Sequence, residues 1–275
     1  EEGFFPAKIL VDDIQNSLSW FGDNTNFKAY FGSIKVNEKF KQPELANTLK
    51  RIAKYGADDF YRGRTANLIV EQMKNSNGLI TKKDLEKYEA KWREPLRVSW
   101  RDYEIVSSPP PSSGGFAVIQ LLKMKDYLAH LFDGVEHNTP TYIHLVAEME
   151  KRVFADRAEY LGDPDFFDTN IKTLISDDYI ASRALEVNPN NISKLEGVSP
   201  GIESPNTTHY SIVDQWGNAV SNTYTINWNY GSGVVIEGAG FLLNNEMDDF
   251  SAKPGVPNIF GVVGNIANEI QPEKR

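Results

Sequence analysis

The chain changes character at Thr207, and that change limits the folds open to it. Upstream, apolar residues recur at helical spacing. Downstream they alternate in short runs separated by Gly217, Gly231 and Gly233. Helices gathered in one part and strands in another predict an α+β chain with a helical upstream part and a β-rich downstream part. With 275 residues the chain can bury a substantial core, as one large domain or two small ones. Its net charge of −9 argues against nucleic acid as a partner, because phosphate binding needs concentrated Lys and Arg. The absence of cysteine excludes disulfides, thiolate nucleophiles and cysteine-ligated metals. No apolar run is long enough for a membrane span. The start, Glu1-Glu2-Gly3-Phe4-Phe5, lacks a signal-peptide pattern and suits a mature or excised piece.

Helical spacing is expected over Pro43–Lys54, with Leu45, Leu49, Ile52 and Ala53 on one face, and over Asp58–Lys74, with Phe60, Ala66, Ile69, Val70 and Met73. Thr81 and Asp84 have the spacing of a capping box. Leu96–Trp100 and Tyr103–Val106 alternate like a hairpin. Pro109-Pro110-Pro111-Ser112-Ser113-Gly114-Gly115 reads as a rigid turn launching a helix over Phe116–Leu131, since the lysine of a phosphate loop is missing. A longer helix is expected from about Thr139 to Tyr160, with Ile143, Ala147, Val153 and Phe154 inside, stopped by Gly162-Asp163-Pro164. Residues 188–206, rich in Pro, Gly, Asn and Ser, read as an exposed linker. Strands are expected at His209–Val213, Ala219–Ile226 and Phe241–Leu243, with a loop from Asp248 to Gly261.

The downstream hairpin offers a geometric argument. If Asp214–Asn218 is a five-residue loop, Val213 faces Ala219, opposed residues sum to 432, and Thr207 lies opposite Thr225, close enough for hydroxyl pairing. A slip of one residue would turn Thr225 to the other face. Two β-favouring threonines on a strand surface remain the alternative. Should Thr207 become a chain terminus by cleavage of Asn206–Thr207, its own amine could take the proton from its hydroxyl, and nucleophile and base would sit in one residue. Asn227 would share the face of Thr225 if the strand persists, and it offers donor and acceptor for a zwitterion; a turn asparagine is the alternative. Glu246, Asp248 and Asp249 suit an ammonium group, a hard cation, or simply solvent. His130, His137, His144 and His209 form no metal signature. Asn206-Thr207-Thr208 also matches a glycosylation sequon.

The runs Thr207-Thr208-His209-Tyr210-Ser211, Asp214–Ala219, Thr223–Asn227, Leu242–Ser251 and Pro254–Asn258, with Pro109–Gly115 and Ala155–Pro164 upstream, resemble the gamma-glutamyltranspeptidases, which are N-terminal-nucleophile hydrolases. The likeness extends over nearly the full chain. It implies part of an αββα sandwich, a precursor that cuts itself before Thr207, and two segments that pair: a large-subunit type, 1–206, and the start of a small-subunit type, 207–275. It implies covalent transfer of a γ-glutamyl group from glutathione or a similar donor to water, an amino acid or a dipeptide, without metal or organic cofactor. Thr207 would be nucleophile and base, with Thr225 hydrogen-bonded to it. Asn227, Glu246 and Asp249 would hold the α-amino and α-carboxylate groups, and Phe260 would stand in a lid where many members have Tyr. Family members usually work in the periplasm or outside the cell. The family's serines for the substrate carboxylate, its oxyanion Gly-Gly pair and its substrate-binding arginine are not in this sequence. An isolated chain of these residues is therefore expected to be nearly inactive, since one oxyanion donor is worth about 100- to 1000-fold in rate. Two other readings stay open: an acylase for glutaryl or β-lactam side chains, which Asn227, Glu246 and Asp249 argue against, and a non-catalytic binding relative.

Overall fold

Prolines at first turns, hydroxyl caps and glycine stops set many of the helix ends. In the computed structural model, which describes residues 1–194, 208–259 and 261–274, the first helices are α1 (Lys8–Phe21), α2 (Phe27–Phe31), α3 (Pro43–Tyr55), α4 (Ala57–Tyr61), α5 (Arg64–Asn75) and α6 (Lys82–Lys87). Strands β1 (Leu96–Trp100) and β2 (Tyr103–Ser107) follow, then α7 (Gly114–Tyr127), α8 (Ala129–Phe132), α9 (Pro140–Tyr160), α10 (Ile171–Leu174) and α11 (Asp177–Ala184). Downstream lie β3 (Thr208–Val213), β4 (Ala219–Tyr224) and two 3-10 turns, Glu246–Asp249 and Ile266–Asn268.

Local chemistry accounts for the agreements. Pro43 opens α3, the Thr139 hydroxyl caps α9, and Thr81 with Asp84 forms the expected capping box. It also accounts for the departures. The helix expected over Asp58–Lys74 is two, because Gly63 turns the chain against Asp59 in a way a Cβ would obstruct. The helix expected from Phe116 starts at Gly114 and is interrupted at Leu128. Phe241–Leu243 provides a single bridge, Leu242 to Val235, rather than a strand. A Cβ on Gly115 would strike the Ser108 carbonyl oxygen, so the Gly114-Gly115 turn serves close packing of α7 on the end of β2.

Among the described residues the strands form two separate antiparallel pairs, β1–β2 and β3–β4. The chain divides into two compact units: Glu1–Lys91 with Ser204–Glu246, and Trp92–Glu203 with Met247–Arg275. Each unit therefore draws on sequence from both sides of residue 207.

In the first unit Phe27, fully buried, packs its ring 4.8 Å from Phe21 and 4.9 Å from both Phe31 and Tyr230. Gly233 has φ +71°, and a Cβ there would enter the Phe21 ring, so glycine alone suits this approach. A second cluster gathers Ala66, Ile69 and Met73 of α5 with Ile236 and Ala239. In the second unit the core joins Phe116 and Met124 of α7, Leu145, Met149 and Val153 of α9, and Ile180 of α11. Helix α9 departs from its apolar pattern. Ile143 is 56% exposed, whereas Glu148, Arg152 and Asp156 are buried. Paired charges fill the inner face: Arg152 Nη1 donates to Glu148 Oε2 at 2.6 Å and Arg183 meets Asp156 at 3.1 Å. Helix α3 behaves alike, with Leu49 57% exposed and Thr48 buried to donate to the Ala239 carbonyl.

Candidate active site

The hairpin that should carry the nucleophile has the register the loop length predicts. Val213 pairs with Ala219, and the ladder runs without slip to Thr208 opposite Tyr224. Asp214 fixes the loop: its carboxylate accepts from the Trp216 and Asn218 amides, both at 2.9 Å, and its amide donates to the Asn218 carbonyl. The hydrogen bond from the Asn218 side chain, above all, holds the Asp214 carboxyl below its ordinary pKa. Gly217 at φ +84° completes the turn. Asn206, Thr207 and Phe260 lie outside the described residues, and so does the expected Thr207–Thr225 pair. The alternation that numbers Thr207 and Thr225 among the odd positions brings His209, Ser211, Ser221 and Thr223 together. His209 Nδ1 is 2.7 Å from the Thr223 hydroxyl, and Nε2 is 3.3 Å from that of Ser221. This histidine serves the hairpin surface, as its lack of metal spacing suggests.

Of the two readings of Asn227, strand face or turn, the structure has the turn. The strand ends at Tyr224, the Thr225 hydroxyl oxygen accepts from the Asn227 amide at 2.8 Å, and Asn227 turns left-handed at φ +70°. Thr225 and Asn227 are thus joined by a tight turn rather than by a shared strand face. Asn227 is buried and donates to the Asn245 carbonyl at 3.1 Å, while the Asn245 side chain accepts from the Trp228 amide at 3.0 Å. The Asn245 amide returns to the Ile226 carbonyl. These bonds hold Asn245, the residue before Glu246, against Asn227, and the Asn244 side chain caps the Glu246 amide at 2.9 Å. Asn245 is the positioning residue that sequence reading missed. The Asn244-Asn245 pair after an apolar run was the available signal, since asparagine side chains tie neighbouring backbone.

Glu246 and Asp249 open and close one 3-10 turn, along which the chain passes from the first compact unit into the second. The Asp249 carbonyl accepts from Asn268 at 2.7 Å, and the Asp248 carbonyl accepts from Asn258 at 3.1 Å. Burial raises the Asp248 carboxyl above its ordinary pKa; the Ile259 amide opposes that and the charge of Asp249 adds to it. Among the described residues no three His, Asp or Glu side chains gather as a metal cluster, and no helix is long and apolar enough to cross a membrane.

Upstream, the motifs around Pro109–Gly115 and Ala155–Pro164 meet within the second unit, where Arg157 Nε donates to the Ser113 hydroxyl at 3.0 Å. The second motif also grips the downstream segment. The Asn265 amide donates to the Ala158 carbonyl at 3.1 Å, and a Cβ on Gly162 would collide with the Ala267 carbonyl oxygen.

The mixed helix-and-strand fold is that of the N-terminal-nucleophile hydrolases of the transpeptidase and acylase type, to whose solved structures it is similar. Within that class the family model for Gamma-glutamyltranspeptidase matches residues 1–275, and the chain belongs to this family. It is 56% identical over 275 residues to the glutathione hydrolase proenzyme of Pseudomonas aeruginosa, covering all of this chain and 49% of that protein. The gamma-glutamyltranspeptidase of Pseudomonas nitroreducens, solved with L-DON, aligns with a TM-score of 0.69 at 52% identity, over 70% of this chain and 58% of that one. A cephalosporin acylase from Bacillus halodurans aligns with a TM-score of 0.79 at 25% identity, over all of this chain and 49% of that one. The chain spans about half the length of the curated relatives it matches.

Proposed function

We propose that the protein hydrolyses or transfers the γ-glutamyl group of glutathione and related donors, after cutting its own backbone between Asn206 and Thr207. The observation that carries this reading is the family match, which runs unbroken across that bond. The Thr207 hydroxyl attacks the γ-glutamyl carbonyl and gives its proton to the Thr207 amine. The amide nitrogen of the donor leaves with that proton, and a γ-glutamyl ester remains. Water, an amino acid or a dipeptide then takes the acyl group, and the hydroxyl is restored. Thr225 suits the partner role: with its oxygen accepting from Asn227, its own proton remains to be donated. Asn227, Glu246 and Asp249 hold the α-amino and α-carboxylate groups of the donor, and Phe260 supplies apolar cover. Residues 1–206 form the large piece and the chain from Thr207 the small one. Contacts inside each compact unit keep the two associated.

The likeness to a cephalosporin acylase gives a second reading, in which the donor is an amide without an α-amino acid head. The buried Asn227, tied to the Asn245 carbonyl next to Glu246 in the chain, favours the zwitterionic donor. Turnover of γ-glutamyl-p-nitroanilide against a glutaryl amide by the full-length protein separates the two. The γ-glutamyl substrate should dominate, and a preference for the glutaryl amide would transfer the assignment to the acylase.

A further inference from the structure

The short turn Ile266–Asn268 is fixed from three directions, all within the second compact unit. Just before it, Asn265 docks on the end of α9. Its amide donates to the Ala158 carbonyl at 3.1 Å and its side chain to Glu159 Oε2 at 2.6 Å. Ala267 is buried against Gly162, where a Cβ would strike its carbonyl oxygen. From the other end of the segment, Lys274 Nζ donates to the Ala267 and Glu269 carbonyls, both at 2.8 Å. The Asn265 carbonyl accepts from the Asn268 amide at 3.1 Å and closes the turn.

This fixed backbone holds out one side chain toward the candidate site. Asn268 Nδ2 donates to the Asp249 carbonyl at 2.7 Å. The Asn268 carbonyl accepts from the Ser251 amide at 2.8 Å, and the Ser251 carbonyl accepts from the Ile270 amide at 3.1 Å. The chain is thus gripped on both sides of Phe250. The side-chain bond falls on the last residue of the turn Glu246–Asp249, where a carbonyl has no partner within its own turn. Asp249 itself is exposed, so its carboxylate is open to a ligand.

We propose that Asn268 is a positioning residue for donor binding: its side-chain amide fixes the end of the Glu246–Asp249 turn, and with it the direction in which the Asp249 carboxylate meets the α-amino group of the donor. The inference rests on the γ-glutamyl reading above, in which Asp249 belongs to the head-group site. A carboxylate and an ammonium form a strong charge-assisted bond, but hydrogen bonds weaken steeply once donor and acceptor fall out of line. Asn268 acts through Asp249, so its effect should vanish when Asp249 has no charge to aim.

The test uses the full-length protein after its division into two chains, with γ-glutamyl-p-nitroanilide as reporter. L-glutamate and glutarate compete against it; glutarate keeps the carboxylates and lacks the ammonium. Asn268→Ala should raise the inhibition constant of L-glutamate by about three- to tenfold, the worth of one hydrogen bond, and leave that of glutarate unchanged. Asn268→Asp, which sets an acceptor against the Asp249 carbonyl, should raise it at least as much. Added to Asp249→Asn, Asn268→Ala should weaken L-glutamate by less than about twofold more. The main-chain bonds of residue 268 survive both substitutions, so the melting midpoint should hold. An unmoved L-glutamate constant in both Asn268 variants would overturn the inference. So would equal weakening of glutarate, or a full further loss in the double variant. If Asn268→Ala fails to fold, Asn268→Asp decides; if neither folds, the residue is structural and the inference falls. A wild type that binds L-glutamate and glutarate alike removes the assignment of Asp249 to the ammonium, and this inference with it.

Discussion

Two stretches of the downstream segment, both in the first compact unit, are held in opposite ways. The hairpin β3–β4 is exposed along nearly its whole length and is defined by its own ladder and by the Asp214 loop. The stretch from Asn227 to Leu243 pairs with itself only around the single Val235–Leu242 bridge, yet Val235, Ile236 and Ala239 are fully buried. Side-chain bonds join it to the helical region roughly two hundred positions upstream. The Asn26 side chain donates to the Val235 carbonyl and accepts from its amide, both at 2.8 Å. Thr48 donates to the Ala239 carbonyl at 2.9 Å, and Tyr230 donates to Asp13 at 2.6 Å. The hairpin stands out from the unit; the irregular stretch is built into it. If the backbone is severed before Thr207, the irregular stretch is what keeps the downstream piece seated on α1, α2, α3 and α5.

Three substitutions sharpen that contrast. The largest effect is expected for Phe27→Ala, which empties the centre of the aromatic cluster holding Tyr230; chemical denaturation of the full-length protein should show a loss of about 3–5 kcal/mol. Asn26→Ala leaves both main-chain groups of buried Val235 without their side-chain partner and should cost about 1–3 kcal/mol. The hairpin should be least sensitive globally: Asp214→Ala loosens an exposed loop and should leave the melting midpoint unmoved. A melting loss for Asp214→Ala as large as that for Asn26→Ala would break the comparison.

The same contrast explains what could be read in the sequence. The β3–β4 register was legible because it depends on one loop length, and the caps at Thr81 and Thr139 because they are local. The inner face of α9 was not, since charged pairs replace apolar residues there and only tertiary partners reveal them. The turn at Asn227 was one of two readings the sequence left open, and a local bond decides it. Thr225 has good strand propensity, but its hydroxyl captures the Asn227 amide and ends the strand. Thr225, Asn227 and Glu246 were named from the sequence, while Asn245, signalled only by the Asn244-Asn245 pair, is identified by its bonds to Asn227 and Trp228.

The central claim is that the Asn206–Thr207 bond is severed by Thr207 itself, and the intact mass of the purified full-length protein tests it most directly. The account requires two masses whose junction lies before Thr207, and one undivided mass for Thr207→Ala. A wild-type protein that keeps a single undivided mass yet turns over γ-glutamyl-p-nitroanilide would contradict it.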